Sequence, residues 1–209
     1  MAAASCFAQA WFAGGGPGLS TLSGDARSVI TPSATAISQY KPENGALLHA
    51  FAGRHVRDYL SFQGAVSWNR NALALVSSRT ESGRESTYEL AYRSRQFSSA
   101  ADAMLYFRPR SSFVRPYLSV GIGMMSFRAS DPQLRISKGS PALPPATFSA
   151  TKPGLRAAAG IDLMFRNGWG FRYTFLETIQ GNPVSAQLSP TGERGLANFQ
   201  NLFGLVKYF

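Results

Sequence analysis

The side chains that could support catalysis or bind a metal ion are few and widely spaced. The chain contains two histidines, His49 and His55, and a single cysteine, Cys6. If the segment around the histidines is a strand, both point to the same face but lie about 20 Å apart at roughly 3.3 Å per residue. They cannot share one metal ion, and a lone cysteine excludes a disulfide framework or a cysteine-rich zinc site. We therefore predict no catalytic residues, no cofactor site and no metal site.

Four charged residues lie within segments that otherwise carry little charge. Apolar side chains occupy alternate positions in each of these segments, and the charged residue falls in the opposite phase. If that phase faces a closed interior, an unpaired charge there would be costly. We therefore expect a paired polar network inside the fold, formed by Asp102, Arg156, Asp162 and Arg172.

The elements that must position these residues are strands, because apolar side chains recur with a period of two. In residues 59–70, for example, Leu60, Phe62, Val66 and Trp68 share one face. Eight strands are predicted, over residues 11–22, 46–56, 59–70, 97–107, 116–127, 155–165, 169–179 and 199–209. Each is close to the length of about 9–11 residues that a tilted strand needs to cross a bilayer.

The predicted connections alternate between short and long. The short ones are residues 53–59, 107–117 and 165–169, and the long ones are residues 23–44, 71–95, 130–152 and 181–196. Strict alternation is typical of an antiparallel up-and-down meander in which all short turns lie at one end. The four long, polar connections then lie together at the other end, where they are expected to be loops that carry any recognition function.

The composition agrees with strands that face lipid on one side. Charged residues make up 15% of the chain, against roughly 25% in a typical soluble domain. No apolar run reaches the roughly 18 residues of a transmembrane helix, but alternation lets half of each strand face lipid without such a run. The other phase holds small and polar residues, which suits the packed interior of an eight-stranded barrel that has no room for an aqueous channel.

The net charge of +10 arises from 21 Lys and Arg against 11 Asp and Glu. The arginines are spread over turns and loops rather than gathered on one face, so nucleic acid is not an expected partner. Several lie beside the short turns, where they could contact anionic headgroups, together with aromatic residues that favour this level. The predicted interfacial rim comprises Tyr59, Arg108, Arg115, Tyr117, Arg166 and Trp169.

Three segments resemble the small outer-membrane β-barrels of the OmpA-like kind, the outer membrane protein beta-barrel domain family. They are RPYLSVGIGMMSF (115–127), GLRAAAGIDLMFRNGWGFRYTF (154–175) and NLFGLVKYF (201–209). The resemblance implies an all-β, eight-stranded antiparallel up-and-down transmembrane barrel with short periplasmic turns and long extracellular loops. It also implies the outer membrane of a diderm, Gram-negative bacterium and a non-enzymatic structural or surface-interaction role.

The end of the chain is similar to the C-terminal signal that the barrel-assembly machinery reads in this family. The residues that match it are Phe199, Phe203, Leu205 and Phe209. Lys207 departs from the pattern, which usually has an aromatic or apolar residue there, although a lysine at the rim can extend its amine to the headgroups.

One barrel domain is expected over residues 11–209. Residues 1–10 end in Ala8-Gln9-Ala10, a small-x-small pattern that indicates a signal-peptide remnant. The expected partners are outer-membrane phospholipid and lipopolysaccharide, with the assembly machinery during biogenesis, and the barrel is expected to be a monomer. Two alternatives stay open: a lipid-modifying or lipid-binding barrel of the outer leaflet, and a soluble basic β-barrel that binds nucleic acid or a small ligand.

Overall fold

Ten strands make up most of the chain. The computed structural model describes residues 11–192 and 195–209, so the expected signal-peptide remnant at residues 1–10 lies outside the described residues. The strands are β1 (Trp11–Leu22), β2 (Asp25–Thr31), β3 (Ala34–Pro42), β4 (Gly45–His55), β5 (Leu60–Glu81), β6 (Arg84–Tyr106), β7 (Val114–Lys138), β8 (Phe148–Met164), β9 (Trp169–Gly181) and β10 (Gly195–Tyr208). Two single 3-10 turns occur at Arg166–Gly168 and Ser185–Gln187. No helix among the described residues is long and apolar enough to span a membrane.

Eight of the strands form a closed antiparallel ring, as predicted. The ring runs β1, β4, β5, β6, β7, β8, β9 and β10, and β10 pairs with β1 to close it. The hairpin of β2 and β3 lies outside the ring, where β3 pairs with the far end of β5. The prediction of an all-β, eight-stranded barrel is confirmed, with this hairpin as an addition.

The register of the pairings fixes the shape of the ring. Paired residues can be followed from Trp11 through Arg54, Phe62, Ala103, Val120, Ala157, Glu177 and Phe199 to Thr21, which is again on β1. The circuit therefore returns to β1 ten residues further along. A stagger of this size around eight strands about 4.8 Å apart tilts the strands by about 40°. Ten residues of such a strand span about 25 Å along the barrel axis, which is the height of a membrane-facing apolar band.

The exposure of side chains alternates along the ring strands as predicted. Large apolar side chains stand out from the ring, including Val120, Ile122 and Leu155. The opposite phase is buried and holds the four charged residues of the predicted network. Because apolar groups face outward and polar groups face inward, the outer surface is suited to lipid rather than to water.

The expected long loops are largely strand, and this part of the prediction was wrong. β5 and β6 continue far beyond the ring and meet at a two-residue turn, Ser82-Gly83, in which both residues have positive φ (49° and 75°). Residues 25–42 form the β2–β3 hairpin, and β7 extends to Lys138. The alternation seen in the ring is inverted here: the inward positions carry buried apolar residues such as Leu75 and Tyr88. The outward positions are mixed, with polar cross-strand pairs such as Ser78 with Thr87 (2.9 Å between hydroxyl oxygens).

We expect hydrogen exchange to show that the outer part of the β5–β6 hairpin is ordered. The backbone amides of residues 73–78 and 87–92 are paired across the ladder, so their exchange should be at least about 100-fold slower than that of an unstructured chain. Residues 139–147 lie outside any strand and provide the internal control. Exchange of the hairpin amides as fast as those of 139–147 would contradict the ladder.

Candidate functional site

The most completely bonded polar site inside the barrel is the ion pair of Arg172 on β9 and Asp162 on β8. The two residues are opposite each other in the β8–β9 register. Arg172 Nε lies 2.6 Å from Asp162 Oδ1 and Arg172 Nη2 lies 2.8 Å from Oδ2. Arg172 is 2% exposed and Asp162 is 0% exposed. This is the bidentate geometry in which a guanidinium and a carboxylate interact most strongly.

Neighbouring side chains use the remaining hydrogen-bonding capacity of this pair. The hydroxyls of Tyr106 and Tyr208 both donate to Asp162 Oδ2, at 3.0 and 2.5 Å. Arg172 Nη1 donates to Gln63 Oε1 at 2.6 Å. A buried ion pair is tolerated when its lone pairs and protons are satisfied in this way.

Aromatic rings enclose the guanidinium. The Cζ atom of Arg172 lies 5.1 Å from the ring centroid of Phe12, 4.5 Å from that of Phe51 and 5.3 Å from that of Tyr117. Contacts of this kind stabilise a cation more strongly when water is excluded. The charge of Arg172 is therefore held both by its carboxylate partner and by the surrounding ring faces.

A second ion pair lies further from the short turns. Arg156 Nε lies 3.0 Å from Asp102 Oδ1, and Arg156 Nη2 lies 3.3 Å from Oδ2. Gln63 is the cross-strand partner of Asp102 and accepts a hydrogen bond from Arg172. The structure thus brings the four predicted charged residues into two ion pairs, with Gln63 bonded to one pair and beside the other.

Gly121 provides the room for the Asp102 carboxylate. A Cβ atom at this position would lie 2.2 Å from Asp102 Oδ1 and 2.4 Å from the backbone oxygen of Ala101. Only glycine avoids this clash, so the small residue opposite Asp102 and the position of the charge depend on each other.

Two members of the predicted rim lie inside the barrel instead, and the prediction for them was wrong. Arg115 is fully buried, with its Cζ atom 3.9 Å from the ring centroid of Tyr106 and its Nη2 donating to the backbone oxygen of Asp58. Tyr117 is also buried, and its hydroxyl contacts that of Thr174. The physical reason is the pleat of the strand: β7 begins at Val114, so residues 115 and 117 share the inward phase of Gly121.

The other predicted rim residues lie at the short-turn end. Tyr59 and Trp169 are 48% and 49% exposed, and Arg108 is exposed. Arg166 belongs to the 3-10 turn between β8 and β9. Three residues of the predicted assembly signal, Phe199, Phe203 and Leu205, share the outward phase of β10, and Phe209 follows directly after its end and is exposed. Lys207 reaches the backbone oxygen of Asn167 at 2.6 Å and lies over the Trp169 ring.

A buried contact between His55 and Ser61 was not expected from the sequence. Nδ1 of His55 hydrogen-bonds the Ser61 hydroxyl, and the two residues are partners in the β4–β5 register. The imidazole stacks on Tyr208, with the ring centroids 5.7 Å apart, and its Nε2 atom has no partner among the described residues. Both side chains are buried, so a substrate has no access to this serine. Pairing the residues on either side of the short turn could have revealed the contact.

The barrel interior is closed by two successive layers at the end opposite the short turns, here called the outer end. The first is polar, with the Ser20 hydroxyl donating to Asn198 at 2.9 Å and Asn69 donating to Asn71 at 2.7 Å. The second is an apolar cluster that includes Tyr40, Leu75, Tyr88 and Val184 among its buried members. Burial raises the pKa of Tyr40 and Tyr88 above the ordinary value of a phenol.

The connection after β9 contributes to this closure, although it was expected to be a recognition loop. Val184 and Leu188 are buried in the apolar cluster. The backbone oxygens of Ser189 and Pro190 accept hydrogen bonds from Ser77 and Ser38, at 2.7 and 2.6 Å. Residues 182–190, here called the outer plug, are therefore bonded to the wall of the fold rather than projecting from it.

The space that remains beside the ion pairs is small. A cavity of about 30 Å³ is lined by side chains that include His49, Arg156, Arg172 and Leu202. This volume holds one or two water molecules. The interior beside the ion pairs is thus packed with side chains, and its outer end is covered by the two layers described above.

We expect Arg172→Leu to destabilise the barrel strongly. It leaves Asp162 as a buried charge without its partner, which costs about 3–5 kcal/mol. The measurement is the urea midpoint of the transition between the folded and unfolded bands on unheated gels. Arg79→Leu is the control, because the exposed Arg79–Glu81 pair (2.8 Å) contributes at most about 1 kcal/mol.

The double variant Arg172→Leu/Asp162→Leu separates the lost charge pair from lost packing. Removing both charges should restore part of the stability that Arg172→Leu loses. A midpoint shift no larger for Arg172→Leu than for Arg79→Leu would disprove the structural importance of the pair.

We also expect the protein to conduct no ions in planar lipid bilayers. The packed core and the outer plug leave no continuous water path, so current should stay at the level of the bare membrane. The Arg172→Leu/Asp162→Leu variant should behave in the same way, because leucines fill the space of the charges. Stepwise conductance from the unaltered protein would refute the closed interior.

The chain is similar to known proteins both in its sequence family and in its structure. A family model described as outer membrane protein beta-barrel domain matches residues 1–193. No curated protein matches the chain. Neisserial surface protein A (NspA) has a TM-score of 0.52 and 15% identity, covering 95% of this chain and 97% of that chain. OprG from Pseudomonas aeruginosa has a TM-score of 0.52 and 14% identity, covering 97% and 96%.

A third similar structure is that of Ail, the attachment invasion locus protein of Yersinia pestis, in complex with the heparin analogue sucrose octasulfate. Its TM-score is 0.50 at 10% identity, and the alignment covers 96% of this chain and 99% of that chain. At these identities the similarity concerns the fold. All three are outer-membrane barrels, and their chains are about as long as this one.

Proposed function

Because this chain belongs to the outer membrane protein beta-barrel domain family and lies in the outer membrane of a Gram-negative bacterium, we propose that it acts without catalysis as a surface-interaction protein. In this proposal the closed barrel is the membrane anchor. The part that binds a partner is the sheet that extends beyond the ring, in the order β2, β3, β5, β6, β7. We call this part the outer sheet.

The observation that carries the proposal is the edge of the outer sheet formed by β2. Among the described residues, β2 pairs only with β3. Residues 191–192 lie beside the beginning of β2, where Arg27 donates to the backbone oxygen of Thr191, and the positions from Ser28 to Ile30 lie beyond them. A free edge presents unpaired N–H and C=O groups that another extended chain can bond. Ile30 is 76% exposed and Val29 is 40% exposed, so the edge also offers apolar contact area.

The register shows which backbone groups are available. Thr31 and Ala34 flank a two-residue turn, so they form the first hydrogen-bonded pair of the hairpin. The backbone groups of Val29 then bond to β3, whereas those of Ser28 and Ile30 point away from the sheet. A partner strand would pair with these two residues.

Three further observations support a binding role over catalysis. The His55–Ser61 contact is buried beneath the rings of Phe12 and Tyr208, so it cannot meet a substrate. Among the described residues, no group of three or more His, Cys, Asp or Glu side chains could hold a metal ion. The name of the similar Yersinia pestis protein, attachment invasion locus protein, refers to a surface role of the same general kind.

The proposal is tested with Ile30→Pro. Proline removes the outward N–H of residue 30 without removing a hydrogen bond to β3, and an edge strand tolerates it. Extended peptides selected from a phage-displayed library on the folded protein in micelles should bind Ile30→Pro at least tenfold more weakly. Ile30→Ala keeps the N–H and should lose less. Peptides that bind Ile30→Pro as well as the unaltered protein, or a selection that yields none, would refute the edge as the binding element.

A further inference from the structure

A row of three arginines lies on the outer face of the barrel, where the ring meets the outer sheet. In the register, Arg70 on β5 is the partner of Arg95 on β6, and Arg95 is the partner of Arg128 on β7. All three side chains are exposed on the outward phase. We propose that this row binds the phosphorylated headgroup of an outer-leaflet lipid.

The charges in the row are close together. Residues directly opposite each other on antiparallel strands have Cβ atoms about 4.5–5.5 Å apart, and like charges in such positions destabilise a sheet. Among the described residues, the ion pairs do not include Arg70, Arg95 or Arg128. A ligand with negative charge would remove the repulsion that the protein itself leaves uncompensated.

Three other basic residues further out on the same strands are paired. Arg79 pairs with Glu81, Arg135 lies 3.5 Å from Glu89, and Lys138 lies 2.5 Å from Glu85. The hydrogen bond from Lys138 also lowers the pKa of Glu85. Three cations of the outer sheet thus have acidic partners, whereas in the described part of the chain the row at its base has none.

The position of the row along the axis matches a lipid headgroup. On the outward face of each strand, the neighbour of the arginine on the side of the short turns is a large aromatic residue. It is Trp68 for Arg70 and Phe97 for Arg95. Trp68 and Phe97 stand at the end of the apolar outer band, where tryptophan favours the membrane interface. The guanidinium of Arg70 lies over the Trp68 ring, 4.5 Å from its centroid.

A groove at this level adds an apolar surface to the charges. It has a volume of about 770 Å³, and its lining includes Trp68, Arg95, Phe97, Ser126 and Arg128 but no acidic residue. Arginine binds phosphate oxygens with two parallel N–H donors. Aromatic rings below and guanidinium groups above suit an amphiphile whose headgroup carries phosphate and whose acyl chains follow the barrel wall.

The row of arginines is also long enough to contact more than one phosphate. Two inter-strand spacings separate Arg70 from Arg128, which is about 10 Å between the strands at either end. A single phosphate contacts at most two neighbouring arginines of such a row. We therefore expect a headgroup with two phosphates to bind more tightly than one with a single phosphate.

The test compares the unaltered protein with the triple variant R70Q/R95Q/R128Q. The probes are bisphosphorylated lipid A, monophosphorylated lipid A and inorganic phosphate, added to the folded protein in uncharged detergent. Native mass spectrometry measures the fraction of protein that retains lipid. The unaltered protein should retain bisphosphorylated lipid A at a lipid concentration at least tenfold lower than the triple variant needs. For the unaltered protein, the concentration of monophosphorylated lipid A that is needed should lie between these two values. The control variant R79Q/R84Q/R135Q should match the unaltered protein.

Thermal stability gives a second and independent readout. Without lipid, R70Q/R95Q/R128Q should melt at a higher temperature than the unaltered protein, because the repulsion is gone. With bisphosphorylated lipid A, the order should reverse. The single variant Arg95→Gln, at the centre of the row, should shift the melting temperature in the same directions by a smaller amount.

Two results would overturn the proposal. Equal lipid retention by the unaltered protein and R70Q/R95Q/R128Q would show that the row does not bind the headgroup. Displacement of the lipid by millimolar inorganic phosphate would show a general anion site instead. Neither result bears on the free edge of β2, which the selected peptides test separately.

Discussion

The constraint on which the structure depends is that no backbone polar group can remain unpaired in the hydrocarbon core of a membrane. The pairing of β1 with β10 meets it, because this pairing closes the ring and leaves no free edge at that depth. Close contact at the seam requires small residues. A Cβ atom on Gly14 or Gly16 would lie 2.2 Å from a backbone oxygen of β10, which explains the glycine-rich sequence of β1.

The closed ring of eight strands then determines what its interior can hold. At a tilt of about 40° the ring has room for side chains but not for a water column. The space is filled by Arg172 with Asp162, by Arg156 with Asp102 and by rings such as that of Phe51. Small residues on the inward phase, among them Gly121, leave the volume that these large groups occupy. Charges are acceptable here because each has a partner at hydrogen-bonding distance.

Most of the ring could be predicted from the sequence because one face of each strand is apolar and the other is not. That contrast is inverted beyond the membrane, where the inward face of the β5–β6 hairpin carries buried Leu75 and Tyr88 and the outward face is mixed, so the pattern of the ring no longer marks the strand. Arg115 and Tyr117 show a second limit: nearness to a turn suggested the rim, but the phase of β7 decides the direction of a side chain. The outer plug could not be foreseen either, since its burial depends on Val184 meeting residues from distant strands.

The row of arginines and the free edge of β2 belong to one continuous sheet. Arg70 lies on β5 just before the segment that pairs with β3, and β3 carries β2. If the row holds lipid headgroups, it fixes the base of the outer sheet at the membrane surface and thereby sets the height at which the edge is presented. A rigid ladder, unlike a flexible loop, preserves this relation at the far end of the hairpin. Binding lipid at the base would therefore orient the edge toward partners outside the cell.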